Sequence, residues 1–130
     1  MISILLIEDH GGFARVMIRL LSTTKDMEIV QVADTAEKGL EELSKRNFDL
    51  VLVDVSLPEM SGISFVSVAR SQHPNLLCLM LSGHTPSHYV QRALEAGAHG
   101  YILKDDGPRI LDGIRQVLRG KIYVSSQLHA

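Results

Sequence analysis

Four apolar runs in this chain end on polar side chains whose combined chemistry is that of a phosphoryl-handling site. Glu8 and Asp9 follow ILLI, Asp54 follows LVLV, Ser82 follows LLCLML and Lys104 follows YIL. In a parallel α/β sheet, ligands bind in the crevice outside the carboxyl ends of the strands, so residues this far apart in sequence would meet there. Any one of them alone could be a helix N-cap or an ordinary loop residue. An adjacent acid pair, a single acid, a hydroxyl and a lysine at successive strand ends point instead to one shared pocket.

The elements that must carry these residues alternate strand and helix. Ile2 to Ile7 is apolar but for Ser3, as suits a strand buried on both faces. After it, Phe13, Val16, Met17, Leu20 and Leu21 fall on one helical face. Glu28 to Val32 reads as a more polar edge strand, and Asp34 with Glu37 has capping-box spacing before a second helix bearing Ala36, Leu40 and Leu43. Leu50 to Val53 is the third strand. Pro58 breaks the chain after it, and Ser61 caps a helix carrying Ile63, Val66 and Ala69. Leu76 to Leu81 is the fourth strand; Thr85 and Pro86 read as the N-cap and first turn of a helix closed by Gly97. Gly100 to Leu103 is the fifth strand, followed by a helix marked by Ile110, Ile114, Val117 and Leu118 and closed by Gly120. Five βα units in succession predict a parallel sheet with right-handed crossovers and helices on both faces.

Composition narrows the function classes. At 130 residues and 14.4 kDa the chain fits one domain with its own core. The lone Cys78 lies in an apolar run and has no partner for an intrachain bridge, which suits a reducing cytoplasm. A net charge of −2 without a basic stripe gives no footprint for direct nucleic-acid binding. No run reaches transmembrane length, and the opening MISILLI has neither a basic flank nor a cleavage signature. Six histidines are scattered; only His84 and His88 stand at i, i+4, with no cysteine or acid to complete a zinc site.

With these residues in place, the chain resembles the receiver domain of bacterial two-component response regulators, over residues 2 to about 120. It is most similar to the LuxR/NarL-type (FixJ-like) receivers that precede a helix-turn-helix. The segments that carry the resemblance are ILLIEDH at 4 to 10, DLVLVDVSLPEMSGI at 49 to 63, LMLSGH at 79 to 84 and AGAHGYILKDD at 96 to 106. All four in order are highly specific.

The resemblance implies a flavodoxin-like, five-stranded parallel sheet of order 2-1-3-4-5, which sets Glu8, Asp9 and Asp54 around one pocket at the switch point between the first and third strands. It implies Mg2+ as the cation, held directly by Asp9 and Asp54, through the backbone carbonyl of Ser56, and by Glu8 mostly through water. Asp54 would be the phosphoacceptor, Lys104 would pair with a phosphoryl oxygen, and Ser82 would donate its hydroxyl to another. Tyr101 matches the aromatic that turns inward when the hydroxyl residue moves, and His84 stands where relatives tune the lifetime of the acyl phosphate. The family usually has Asp where this chain has Glu8. The pair Gly11-Gly12 also departs from relatives, which often carry a proline after the histidine, and loosens the start of the first helix.

By the same resemblance the chain divides into a receiver domain, 1 to 120, and the start of a linker or tail, 121 to 130. It would be a cytoplasmic signalling domain rather than an enzyme in its own right, one that promotes its own phosphorylation and dephosphorylation. Its expected partners are a sensor histidine kinase or phosphotransfer protein and a phosphorylation-dependent second copy. DNA would be reached only through an output domain beyond Ala130; the alternative is a stand-alone receiver that acts by docking. An FMN carrier would share the fold but wants a hydroxyl- and glycine-rich phosphate loop, and Glu8-Asp9 would repel a bare phosphate. An aspartyl phosphatase wants a second acid two residues after the nucleophile, where this chain has Ser56.

Overall fold

The computed structural model describes residues 1–83 and 87–125, with the side chains of Ser87 and His88 left out. The expected Thr85-Pro86 cap and the role of His84 lie outside the described residues, as does the tail from 126 onward. Strands β1 (Ile2–Ile7), β2 (Met27–Ala33), β3 (Leu50–Asp54), β4 (Leu77–Ser82), β5 (Gly100–Leu103) and β6 (Tyr123–Val124) alternate with helices α1 (Gly11–Ser22), α2 (Ala36–Lys45), α3 (Gly62–Gln72), α4 (Ser87–Ala96) and α5 (Gly107–Leu118). The sheet is parallel, in the order β2-β1-β3-β4-β5-β6. The expected order 2-1-3-4-5 is present. A short sixth strand extends it, in the segment expected to open a linker.

The alternation along each strand sorts the core into two layers, because successive side chains point to opposite faces. Leu5, Ile7, Val51, Val53, Cys78, Met80 and Tyr101 face α2, α3 and α4, through Ala36, Leu43, Phe65, Val66, Ala69, Val90 and Ala93. Ile4, Leu6, Leu50, Leu52, Leu79, Leu81 and Ile102 face α1 and α5, through Ala14, Met17, Leu21, Ile110, Ile114 and Val117. Burial on both faces is why Ile4 to Ile7, Leu50 to Val53 and Cys78 to Leu81 read as unbroken apolar runs. Each such side chain contributes about 1.5–3 kcal/mol when fully buried.

Two local expectations come out differently. Val16 was placed on the buried face of α1 but is 59% exposed; the stripe that packs is Ala14, Met17 and Leu21. The cap of α2 is Thr35, whose hydroxyl accepts from Lys38 N at 3.1 Å. β2 runs to Ala33 and the helix starts at Ala36, so Asp34 sits one residue too early to cap. It pairs with Lys38 Nζ at 3.0 Å instead, and that ammonium holds its carboxyl below the ordinary range. Ser61 caps α3 as expected, accepting from Ser64 N. Gly97 adopts φ +114 after α4, a conformation open to glycine at little cost.

Candidate functional site

Register brings the polar strand ends together. Ile7 pairs with Val53, Asp54 with Leu81 and Ser82 with Leu103, so the residues that end β1, β3, β4 and β5 emerge along one edge of the sheet. Glu8 and Asp54 are buried there, 2% and 4% exposed, while Asp9 faces solvent. Among the described residues, Glu8, Asp9 and Asp54 form an acidic cluster whose nearest ligand oxygens lie within 4.8 Å of one another. Lys104 Nζ reaches into it, 2.7 Å from Glu8 Oε1 and 3.4 Å from Asp54 Oδ2.

The second oxygen of each buried carboxylate is held by backbone. His10 N donates to Glu8 Oε2 at 3.2 Å and Ser56 N donates to Asp54 Oδ1 at 3.1 Å. Both acids are therefore oriented by the turns that follow β1 and β3, leaving one oxygen of each toward the lysine. The lysine is positioned in turn by its own strand: Lys104 N donates to Ser82 O at 2.8 Å. Its Nζ also lies 4.6 Å from the centre of the Phe13 ring, a cation–π contact that confines the ammonium from the α1 side.

Charge in the pocket is unbalanced. Burial pushes the Glu8 carboxyl above its ordinary range; Lys104 opposes that rise, and the neighbouring Asp54 carboxylate adds to it. One ammonium among three carboxylates leaves net negative charge, and the carboxylate oxygens are donors of the kind that a hard divalent cation prefers.

The structure thus gathers Glu8, Asp9, Asp54, Ser56 and Lys104 at one place. Ser82 ends β4 beside them, 2% exposed, and Tyr101 is fully buried on β5, three residues before Lys104 and paired with Met80. The sequence reading placed Phe13 only on a helix face, and nothing in its spacing showed that its ring would meet Lys104. It also missed Ser125, a buried serine at the end of β6 that binds β5.

An all-parallel, doubly wound sheet with an acidic pocket and a lysine at its switch point defines a class of α/β signalling domains. The family profile described as "Response regulator receiver domain" matches residues 4–115, and the chain belongs to that family. The transcriptional regulatory protein DegU of Brevibacillus brevis is 30% identical over 124 residues, which cover 95% of this chain and 52% of DegU. The uncharacterized transcriptional regulatory protein YhcZ of Bacillus subtilis (strain 168) is 34% identical over 125 residues, 96% of this chain and 58% of that protein. The chain spans between about half and three fifths of the curated relatives it matches. Among solved structures, a LuxR-family two-component response regulator from Aurantimonas sp. SI85-9A1 superposes with a TM-score of 0.94 at 26% identity, over 97% of this chain and 91% of that one. The chain is a signalling domain of the two-component type, and among its described residues no helix is long and apolar enough to cross a membrane.

Proposed function

We propose that Asp54 accepts a phosphoryl group from a phosphohistidine donor in a Mg2+-dependent reaction, and that the resulting charge switches the domain. The observation that carries this reading is the juxtaposition of two buried carboxylates and one exposed one around a single ammonium. Asp9, Asp54 and the Ser56 carbonyl would hold the ion directly and Glu8 through water. When bound, Mg2+ supplies positive charge that offsets carboxylate repulsion and draws phosphoryl oxygens to the pocket.

The chain's own residues do the rest. The Ser56 amide keeps the Asp54 carboxylate turned into the pocket, so that one oxygen attacks phosphorus in line. The P–N bond to the donor imidazole breaks, its electron pair stays on nitrogen, and a C–O–P acyl phosphate forms. Lys104 then pairs with one phosphoryl oxygen and Ser82 donates its hydroxyl to another. Little covalent assistance is needed, since positioning and charge neutralisation dominate this chemistry.

Phosphorylation adds about −1.5 to −2 charges, and unit charges about 4 Å apart interact by roughly 4 kcal/mol at intermediate dielectric. Shifting a 1:99 equilibrium to 99:1 takes about 5.5 kcal/mol, so a few contacts made through Ser82, Lys104 and Tyr101 suffice. The face built by α4, β5 and α5 is the element that responds. The phosphoryl donor would be a histidine kinase or phosphotransfer protein in the cytoplasm, and the phosphorylated domain would pair with a second copy of the chain. The output would be transcription through a domain outside residues 1 to 130, supported by relatives named as transcriptional regulators.

Acetyl phosphate with Mg2+ should label the protein, and Asp54→Asn should abolish labelling. Persistent Mg2+-dependent labelling of that variant would refute Asp54 as the acceptor.

A further inference from the structure

The segment leaving α5 is fastened to the strand that carries Lys104. Tyr123 N donates to His99 O and Ser125 N to Tyr101 O, both at 3.0 Å, so β6 runs along the outer edge of β5. β6 ends at Val124. The next outward amide of β5, that of Leu103, donates to the Ser125 hydroxyl oxygen at 3.3 Å, and Ser125 is only 1% exposed. The side chain thus extends the ladder beyond the strand's last residue. One residue further, Lys104 N points the other way and donates to Ser82 O. Two consecutive amides, one anchored outward and one inward, fix the strand end from which the ammonium reaches Glu8 and Asp54. A second contact runs the same way: Val124 packs against the core layer that contains Tyr101.

We propose that Ser125 is a positioning residue for Lys104. Its hydroxyl holds the Leu103 amide, so the end of β5 presents the ammonium to the acceptor carboxylate. By reciprocity, occupancy of the Asp54 site is felt at Ser125, where the chain leaves the sheet. The assignment rests on Asp54 being the phosphoacceptor, and it adds a route by which the state of that site reaches whatever follows residue 125.

The test uses the 130-residue chain and two variants, Ser125→Ala and Ser125→Thr. Initial rates of Mg2+-dependent labelling by acetyl phosphate should fall about two- to tenfold in Ser125→Ala, the span of one hydrogen bond of this kind. Ser125→Thr, which keeps the hydroxyl, should recover most of the rate. In the wild type, beryllofluoride with Mg2+ should change hydrogen exchange at the Leu103 and Ser125 amides, a measurement that stands even where a variant fails to fold. A purely structural serine would lower the urea midpoint of Ser125→Ala while leaving its labelling rate and the wild-type exchange response unchanged, and that outcome overturns the proposal. Absence of any wild-type labelling would instead remove the Asp54 reading on which it rests.

Discussion

Replacing Lys104 with methionine tests the electrostatics of the pocket directly. The ammonium stands 2.7 Å from Glu8 Oε1 and 3.4 Å from Asp54 Oδ2. At an effective dielectric of about 20 these pairs attract by roughly 6 and 5 kcal/mol. Those gross attractions are offset by the cost of desolvating the charges, and removing one partner of a buried pair typically costs about 3–5 kcal/mol, because the other charge is left uncompensated. With a urea slope of about 2 kcal/mol/M, the midpoint of Lys104→Met should fall by about 1.5–2.5 M in Mg2+-free buffer. The variant should also acquire a characteristic pH dependence. Glu8 is an acid whose folded pKa already lies above its ordinary value of 4.5, and loss of the ammonium raises it further. Above that ordinary value the unfolded chain releases a proton that the native state still holds, so stability falls as pH rises toward the folded pKa. Lys104→Met should therefore lose stability more steeply than wild type on going from mildly acidic to neutral pH. Mg2+, as a replacement counter-charge, should restore more stability to the variant than it adds to wild type. Equal urea midpoints and equal pH slopes for variant and wild type, in the absence of Mg2+, would refute this account.

Gly62→Ala should destabilise by about 1–3 kcal/mol and slow labelling by acetyl phosphate, because a Cβ there would run into the Asp54 carbonyl oxygen and crowd Met80 Cε; urea titration and labelling rates check both. For the Mg2+ site, fluorescence or calorimetric titration should show Asp9→Asn weakening binding more than Glu8→Gln, and the reverse order would exchange the direct and water-mediated roles. His99 has its pKa lowered by burial and by Arg70, and its Nδ1 accepts from Cys78 N at 3.2 Å, so the native state keeps it neutral. The unfolded chain binds that proton more readily, so urea midpoints should decline as pH falls below about 6.5, and His99→Gln should remove part of that decline.

The sequence alone was enough for the alternation of strands and helices, for the parallel sheet, and for the emergence of Glu8, Asp9, Asp54, Ser82 and Lys104 along one edge of it. The reason is physical: strands buried on both faces must be apolar throughout, so the first polar residue after each marks the sheet's carboxyl edge. β1, β3 and β4 obeyed this, and their terminal residues meet where expected. Helix details depended on boundaries that periodicity leaves loose by a residue or two, which is why Thr35 rather than Asp34 caps α2 and why Val16 faces solvent. Other features were decided only in three dimensions. Phe13 reaches Lys104 because α1 packs against the same sheet face as α5, a juxtaposition of residues 91 positions apart that no local pattern encodes. The pairing of β6 rests on the outer edge of β5, whose amides and carbonyls point away from β4 and take their partners from the returning segment. Tyr123 and Ser125 do so with their backbone amides, and Ser125 also with its side chain, because the part-buried amide of Leu103 needs an acceptor and the strand has run out.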